Sequence, residues 1–329
     1  MSRILLANKQ SIAHAAKLIK AGEIVGLPTE TVYGLGADAT NKNAVRAIFK
    51  AKNRPAKNPL IIHVANKKQA LDYGVITKSA STMIEAFWPG PLTLILNQVK
   101  GNNISDLVTA GLDTIAIRCP AHPVMAEVIR LAKCPIAAPS ANASGEPSAT
   151  TPNHVAQSLG NNIDVILGAG ACEVGIESTV LDLTTDVPII LRPGGITLEE
   201  IQKYLPAVQI GKGSDVNNQP KSPGQLFKHY APSIPIRLNA IDVRKGEALL
   251  SFGSIKFMGI VGGGSAKDLK EDSVRSLSDE GDLEEAAKNL FTMIRDLDNE
   301  NNNSIAVMNI PEKGIGIAIN ERLRRAAEG

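Results

Sequence analysis

Cysteine is scarce in this chain, with three in 329 residues. Cys119, Cys134 and Cys172 show no C-x-x-C spacing, so neither a zinc site nor a disulfide framework is indicated. Buried thiols in a reducing compartment are the expected reading. Net charge is lacking too: 35 Lys and Arg stand against 33 Asp and Glu. The balance hides a modest asymmetry, since residues 1–233 hold 22 basic against 17 acidic side chains and residues 234–329 hold 13 against 16. The first part therefore suits an anionic ligand but is too weakly basic to demand nucleic acid. No apolar run approaches the ~18 residues of a membrane span and no secretory leader is apparent, so a soluble, cytoplasmic protein is expected. The common phosphate motifs are also missing. There is no G-x-x-x-x-G-K-S/T, no G-x-G-x-x-G follows a strand into a helix, and Gly262–Gly264 lacks the third spaced glycine. If ATP binds, scattered cations and hydroxyls must hold it.

What is present centres on KAKNRPAKNPLIIHV, Lys50 to Val64. Lys50, Lys52, Arg54, Lys57 and, if protonated, His63 are cations beside an apolar run. Pro55 and Pro59 forbid helix there. The expected layout is a helix ending near Ala51, a stiff basic loop and a strand over 60–64. A charge run is usually a solvated face, but rigid prolines aim Lys52 and Arg54 in the manner of a phosphate site.

The remaining chain reads as alternating short elements. Periodicity predicts helices over 11–21, 43–51, 78–87 and 122–133, and strands over 24–27, 92–96, 114–118, 135–138, 163–167, 178–183 and 187–191. Thr29, Glu30, Thr31 and Tyr33 form a polar loop after a strand, where open α/β sheets place ligands. Gly34 and Gly36 allow close backbone approach. Arg118 ends an apolar strand, and Arg192 sits in a second basic corner, RPGG. PSANASGEPSATTP has the composition of a flexible loop, yet it follows a buried strand and should present Ser140 and Asn142 as donors at the sheet's rim. Residues 207–233 are polar and Gly/Pro-punctuated, a linker or lid. Strands near 234–238, 248–252, 257–261 and 304–309, a helix near 282–298 and a helical tail complete a second domain. The expectation is a twisted mixed α/β sheet over 1–206, a linker or lid over 207–233, and a smaller α/β domain over 234–329.

In this order, TETVYGLG, KNRPAKNPLIIHV, FWPGPLT, IAIRCPAHP, PSANASGEPSAT, IESTVLDLT, ILRPGG and SPGQLFKHYAP resemble the YrdC/Sua5 family of L-threonylcarbamoyladenylate synthases. The likeness covers nearly the whole chain. It includes Lys52-Asn53-Arg54 and Ser140-Ala141-Asn142, which match the K-x-R…S-x-N signature, and the closing AINERLRRAA of a Sua5-type C-terminal domain. Gln225 departs from it, standing where many members carry Met.

The resemblance implies a YrdC-like sheet with a large concave cavity and a Rossmann-like second domain. It also implies condensation of L-threonine, bicarbonate and ATP, with Mg2+ carried mainly by the nucleotide phosphates and no protein metal site. The product serves N6-threonylcarbamoyladenosine formation at tRNA position 37 through a downstream threonylcarbamoyl transferase, so tRNA is an indirect partner and a membrane is not one. By motif position, Thr31, His63, Arg118, Ala138 (through its backbone) and Ser178 match the threonine pocket. Lys52, Arg54, Asn58, Thr114, Ser140, Asn142, Ser148, Arg192 and Tyr230 match the ATP side, with Lys52 and Arg54 as the catalytic cations. Physical chemistry fits these roles: an arginine fork can clamp a carboxylate, and cations can stabilise charge building on pyrophosphate. A non-catalytic RNA-binding module is the alternative, separable by pyrophosphate release that depends on threonine and bicarbonate. A carbamoyltransferase of the hydrogenase-maturation type would need zinc-finger cysteines that this sequence lacks.

Overall fold

A computed structural model describes residues 2–55, 57–211, 229–255, 259–260 and 269–328. These form two compact units. The first runs to Gly211 without Gly145–Ser148 and Val174–Ile176, and those two segments group with the residues from His229 onward. The expectations about Ser222–Lys228 and Gly262–Gly264 lie outside the described residues.

The first unit is built on one eleven-stranded mixed sheet. Its strands are β1 (Arg3–Leu6), β2 (Val25–Leu27), β3 (Gly34–Asp38), β4 (Ile61–His63), β5 (Leu92–Asn97), β6 (Thr114–Arg118), β7 (Ile136–Ala137), β8 (Val165–Gly168), β9 (Thr179–Asp182), β10 (Ile189–Arg192) and β11 (Gln209–Ile210). Their spatial order is β1-β8-β2-β3-β7-β4-β6-β5-β9-β10-β11. In its centre β4 and β6 are parallel, β6 and β5 antiparallel, and β5 and β9 parallel again.

Alternation along these central strands separates two faces. Ile62, Leu94, Leu96, Ile115, Ile117 and Leu181 enter the main core, together with Val45 and Ile48 of the helix Lys42–Lys52 and Met83 of the helix Lys78–Phe87. Ile61, Ile95, Ala116 and Val180, one residue out of phase, make only a small separate cluster. The latter face carries the polar side chains described below.

Local chemistry explains where the structure departs from the periodicity. The first helix spans Lys9–Lys20, starting earlier than expected because Asn8 caps it. The Asn8 side chain accepts from the N–H groups of Gln10 and Ser11, and the Ser11 hydroxyl accepts from the Asn8 N–H. A helix over Pro152–Leu159 was not expected; Thr151 caps it and Pro152 occupies its first turn. At Gly36 a Cβ would stand 2.6 Å from Leu27 Cδ1 and 3.0 Å from Ile136 Cγ2, so those buried side chains would have to shift to admit one. Cys119 and Cys172 are buried and Cys134 half-buried, and burial pushes their thiols up to about 11, 12 and 12 respectively.

The second unit has an all-parallel sheet of β12 (Ile236–Arg237), β14 (Glu247–Ser251), β16 (Val274–Ser276) and β17 (Ser304–Val307), ordered β12-β17-β14-β16, with β13 (Asp242–Val243) and β15 (Gly259–Ile260) paired beside it. Ala248–Leu250 and Ile305–Val307 are buried as unbroken apolar runs, as parallel strands covered on both faces require. The helix Leu283–Leu297 buries Ala286, Ala287, Leu290, Phe291, Ile294 and Leu297, one stripe at helical spacing. Tyr230 stacks on Phe291 at 5.4 Å between centroids, with the Arg322 guanidinium 5.6 Å from its ring.

Candidate functional site

The register of the central sheet collects much of the candidate site. His63 on β4 pairs laterally with Arg118 on β6, Arg118 with Thr93 on β5, Thr93 with Val180 on β9, and Val180 with Arg192 on β10. Residues in lateral register share a face, so one row runs across five strands. Hydrogen bonds tie it together. The Thr93 and Ser178 hydroxyls lie 2.7 Å apart, and Arg192 donates through Nη2 to both the Ser178 carbonyl, at 2.9 Å, and its hydroxyl, at 3.2 Å.

Arg118 is buried and already partnered. Its Nε donates to the Gly90 carbonyl at 3.2 Å and its Nη1 to the Thr31 hydroxyl at 2.8 Å. Its Nη2 stands 2.7 Å from Glu30 Oε1, an ion pair that is 4% and 6% exposed at its two side chains. Burial pushes the Glu30 carboxyl up, but the Arg118 charge beside it outweighs that and holds it below the usual carboxylate range. Thr31 is itself fixed, its hydroxyl 2.8 Å from that of Thr29, which donates onward to the Val32 carbonyl.

His63 is not the cation the sequence allowed. Burial, reinforced by the Arg118 charge, pushes its imidazole down to about 3, so it is neutral at any working pH. Its Nδ1 lies 3.3 Å from the Ile136 carbonyl. A carbonyl only accepts, so Nδ1 carries the proton and Nε2 presents a lone pair.

The basic loop also departs from expectation. Lys52 and Arg54 were expected on a stiff loop after the helix, aimed at a ligand, yet they are 1% and 9% exposed. The Lys52 ammonium donates to the Ser140 carbonyl at 2.5 Å and to the Asn142 carbonyl, while its own carbonyl accepts from the Ser144 N–H at 2.9 Å. Lys52 ends the helix Lys42–Lys52, and Asn53 in the left-handed region turns the chain out of it. Arg54 wraps its own loop, with Nη2 donating to the Pro59 carbonyl at 3.1 Å and Nε lying 3.4 Å from the Asn58 carbonyl. The two sequence-distant signatures are thus physically joined. Around Ser140–Asn142 the supposed flexible loop is strapped down, and Ser140 and Asn142 serve Lys52 as backbone acceptors.

The other expected residues are distributed as follows. The buried Asn58 side chain has an oxygen without a hydrogen-bond partner among the described residues. Thr114 opens β6, four residues and about 13 Å from Arg118 on the same face. The Ala138 N–H is committed to the Ile61 carbonyl at 3.1 Å, so a backbone contact to a ligand would use its carbonyl. Ser148 and Tyr230 are buried in the second unit. Glu30 and Thr93 were missed as site residues, although both lie inside quoted motifs, TETVYGLG and FWPGPLT. Their only sequence signal was a polar side chain at the end or start of an apolar strand.

Fold and site together define a two-unit α/β protein with a cation-bearing polar row on one face of a mixed sheet. A family profile described as Telomere recombination, covering Sua5, YciO and YrdC, matches residues 17–194. A second, described as Threonylcarbamoyl-AMP synthase, C-terminal domain, matches residues 196–328. The chain is 42% identical to the threonylcarbamoyl-AMP synthase of Bacillus subtilis, over 99% of this chain and 95% of that protein. It is 40% identical to that of Schizosaccharomyces pombe, over 97% and 88%. Among solved structures, Pyrococcus abyssi Sua5 complexed with L-threonine superposes with a TM-score of 0.87 at 38% identity, over 99% of this chain and 97% of that one. The chain belongs to the family of Sua5-type threonylcarbamoyl-AMP synthases. No helix among the described residues is long and apolar enough to cross a membrane.

Proposed function

We infer that this chain is a threonylcarbamoyl-AMP synthase, joining L-threonine, bicarbonate and ATP into threonylcarbamoyl-AMP and pyrophosphate for tRNA modification. The observation that carries the mechanistic reading is the polar row on the face turned away from the main core. At one end, Thr31, His63, Arg118, Ser178 and the Ala138 carbonyl hold threonine. The neutral His63 Nε2 accepts a hydrogen bond from the amino acid. An imidazole with a value near 3 is too weak a base to strip an ammonium, so His63 orients threonine and the proton leaves to another acceptor. Once the amine carries the carboxyl group, the carbamate oxygen attacks the α-phosphorus of ATP and the bond to pyrophosphate breaks.

The ATP side comprises Arg192, Thr114, Asn58, Arg54 and the Ser140–Asn142 segment. The separation of Thr114 from Arg118 leaves room for a nucleotide along β6. Lys52 acts largely through the segment it straps in place, and its buried charge adds to the positive potential around the leaving phosphates. Ser148 and Tyr230 are assigned to ATP by the family resemblance alone. Among the described residues no three His, Cys, Asp or Glu side chains converge as a metal cage. Mg2+ would arrive on the nucleotide phosphates, supplying charge neutralisation there. The concave shape of the substrate cavity, the cytoplasmic setting and delivery to a threonylcarbamoyl transferase belong to this same reading.

The test is pyrophosphate release by the full chain. Release requiring threonine, bicarbonate and ATP together is the expected result. Tight RNA binding without such release would instead favour the non-catalytic module.

A further inference from the structure

Glu30, expected only as part of a polar loop and given no role of its own, is the one acidic side chain ion-paired with Arg118 among the described residues. We propose that Glu30 is a positioning residue for amino-acid recognition: it fixes the Arg118 guanidinium and cancels its charge, so that this end of the row selects a zwitterion and disfavours an anion. The proposal rests on the reading of Arg118 and Thr31 as parts of the threonine pocket.

Three observations lead there. First, the guanidinium is held at three points: Nε on the Gly90 carbonyl, Nη1 on the Thr31 hydroxyl and Nη2 against Glu30. Two of those holds are neutral, so Glu30 supplies the only charged restraint among them, on the same loop as Thr31. Second, both members of the pair are buried. An exposed pair would contribute little, whereas an isolated buried charge is strongly disfavoured, so each side chain depends on the other. Third, the other groups assigned to threonine carry no charge of their own, and the Arg192 cation reaches this end through its bonds to Ser178. His63 is neutral, and Thr31, Thr93 and Ser178 are hydroxyls.

The chemistry of the substrate gives that cancellation a purpose. Threonine arrives with a carboxylate and an ammonium a few bonds apart. A bare arginine would attract the first and repel the second, and would attract any small hydroxy-carboxylate just as well. A neutralised, rigid guanidinium offers its N–H groups as directed donors without the long-range pull on anions. Recognition then depends on matching the whole zwitterion, which matters because only an amino group can be carboxylated.

The experiment is calorimetric titration of the full-length wild type, Glu30→Gln, Glu30→Asp and Thr31→Val with L-threonine and with 3-hydroxybutyrate, which keeps the hydroxyl and carboxylate but has no ammonium. Glu30→Gln is expected to weaken threonine at least tenfold and to shift the threonine-to-hydroxybutyrate ratio toward the anion. Glu30→Asp, which keeps the charge but draws it back by one methylene, should lose threonine affinity with the ratio preserved. If Glu30→Gln does not fold, as its melting transition would reveal, a Glu30→Asp variant that binds threonine like the wild type overturns the proposal. A folded Glu30→Gln with wild-type affinity and ratio overturns it as well. Thr31→Val separates the two levels. If it weakens threonine while Glu30→Gln does not, the positioning role alone fails; if neither has an effect, the pocket reading fails with it.

Discussion

The two faces of β4, β5 and β6 share a backbone and differ in everything else. One face buries Ile62, Leu94, Leu96, Ile115 and Ile117 against helices. The other, one residue out of phase, carries Ile61, Ile95 and Ala116 as a small apolar floor and His63, Arg118 and Thr93 as a polar row. A period of two lets one strand do both, because packing and chemistry never compete for the same position. The comparison teaches that the polar face is tied together by charged and hydroxyl contacts where the core face relies on apolar packing.

The sharpest way to break the polar side is Lys52→Ala. Its loss removes the ammonium that both the Ser140 and Asn142 carbonyls accept from, a charged hydrogen bond to each at about 1–3 kcal/mol. Activity should fall by more than ~100-fold, and the melting temperature should drop by roughly 2–4 °C per kcal/mol lost. An inactive variant with unchanged melting temperature would mean that Lys52 acts as a phosphate ligand and not as a strap.

Substrate discrimination probes the apolar floor. Threonine and serine differ by one methyl, worth roughly 1–3 kcal/mol, so kcat/KM should favour threonine by about 10–200-fold. A much larger ratio in competition assays would reveal an editing or steric device beyond the row described.

A milder change within the row is Thr93→Val. It removes the hydroxyl beside Ser178 while Arg192 still bonds that side chain. With about 1 kcal/mol at stake, KM for threonine should rise around fivefold while KM for ATP holds. Equal changes in both constants would show that Thr93 serves the sheet as a whole.

The last effect is on stability and not on activity, a pH slope. His63 titrates near its ordinary 6.5 when unfolded but at about 3 when folded. Between those values the unfolded chain holds the extra proton, so stability is full above about pH 6.5 and declines as pH falls through the window. Glu30, also depressed in the folded state, adds stability above its ordinary 4.5 that is lost only as pH drops below it. Denaturant titrations between pH 6.5 and 4.5 therefore report His63 together with His122, which burial also pushes down, and His63→Gln should remove the larger share of the slope. An unchanged slope would place the acid sensitivity elsewhere.

Most of the central strands were legible because their periodicity is local. Thr114–Arg118 is found where the alternation of TIAIR puts it, and the helix over 78–87 likewise. The short strand β1 and the helix Pro152–Leu159 were not, since a four-residue edge strand and a helix inside a Ser/Thr/Pro stretch carry weak patterns. Within the site, cations and hydroxyls could be nominated from motif position, but their partners could not. Lys52 and the Ser140–Asn142 segment are 88 to 90 residues apart, and Arg118 and Thr31 are 87 apart.

By itself, then, the sequence determined most element types, the ordered motifs and the family they resemble, because these depend on neighbouring residues and on residue identity. Tertiary structure alone decided that Lys52 and Arg54 are buried, that His63 is neutral and that Arg118 is paired with Glu30. Burial and charge pairing depend on which distant segments meet, and the register of a mixed sheet sets that meeting. Local pattern carries no record of it.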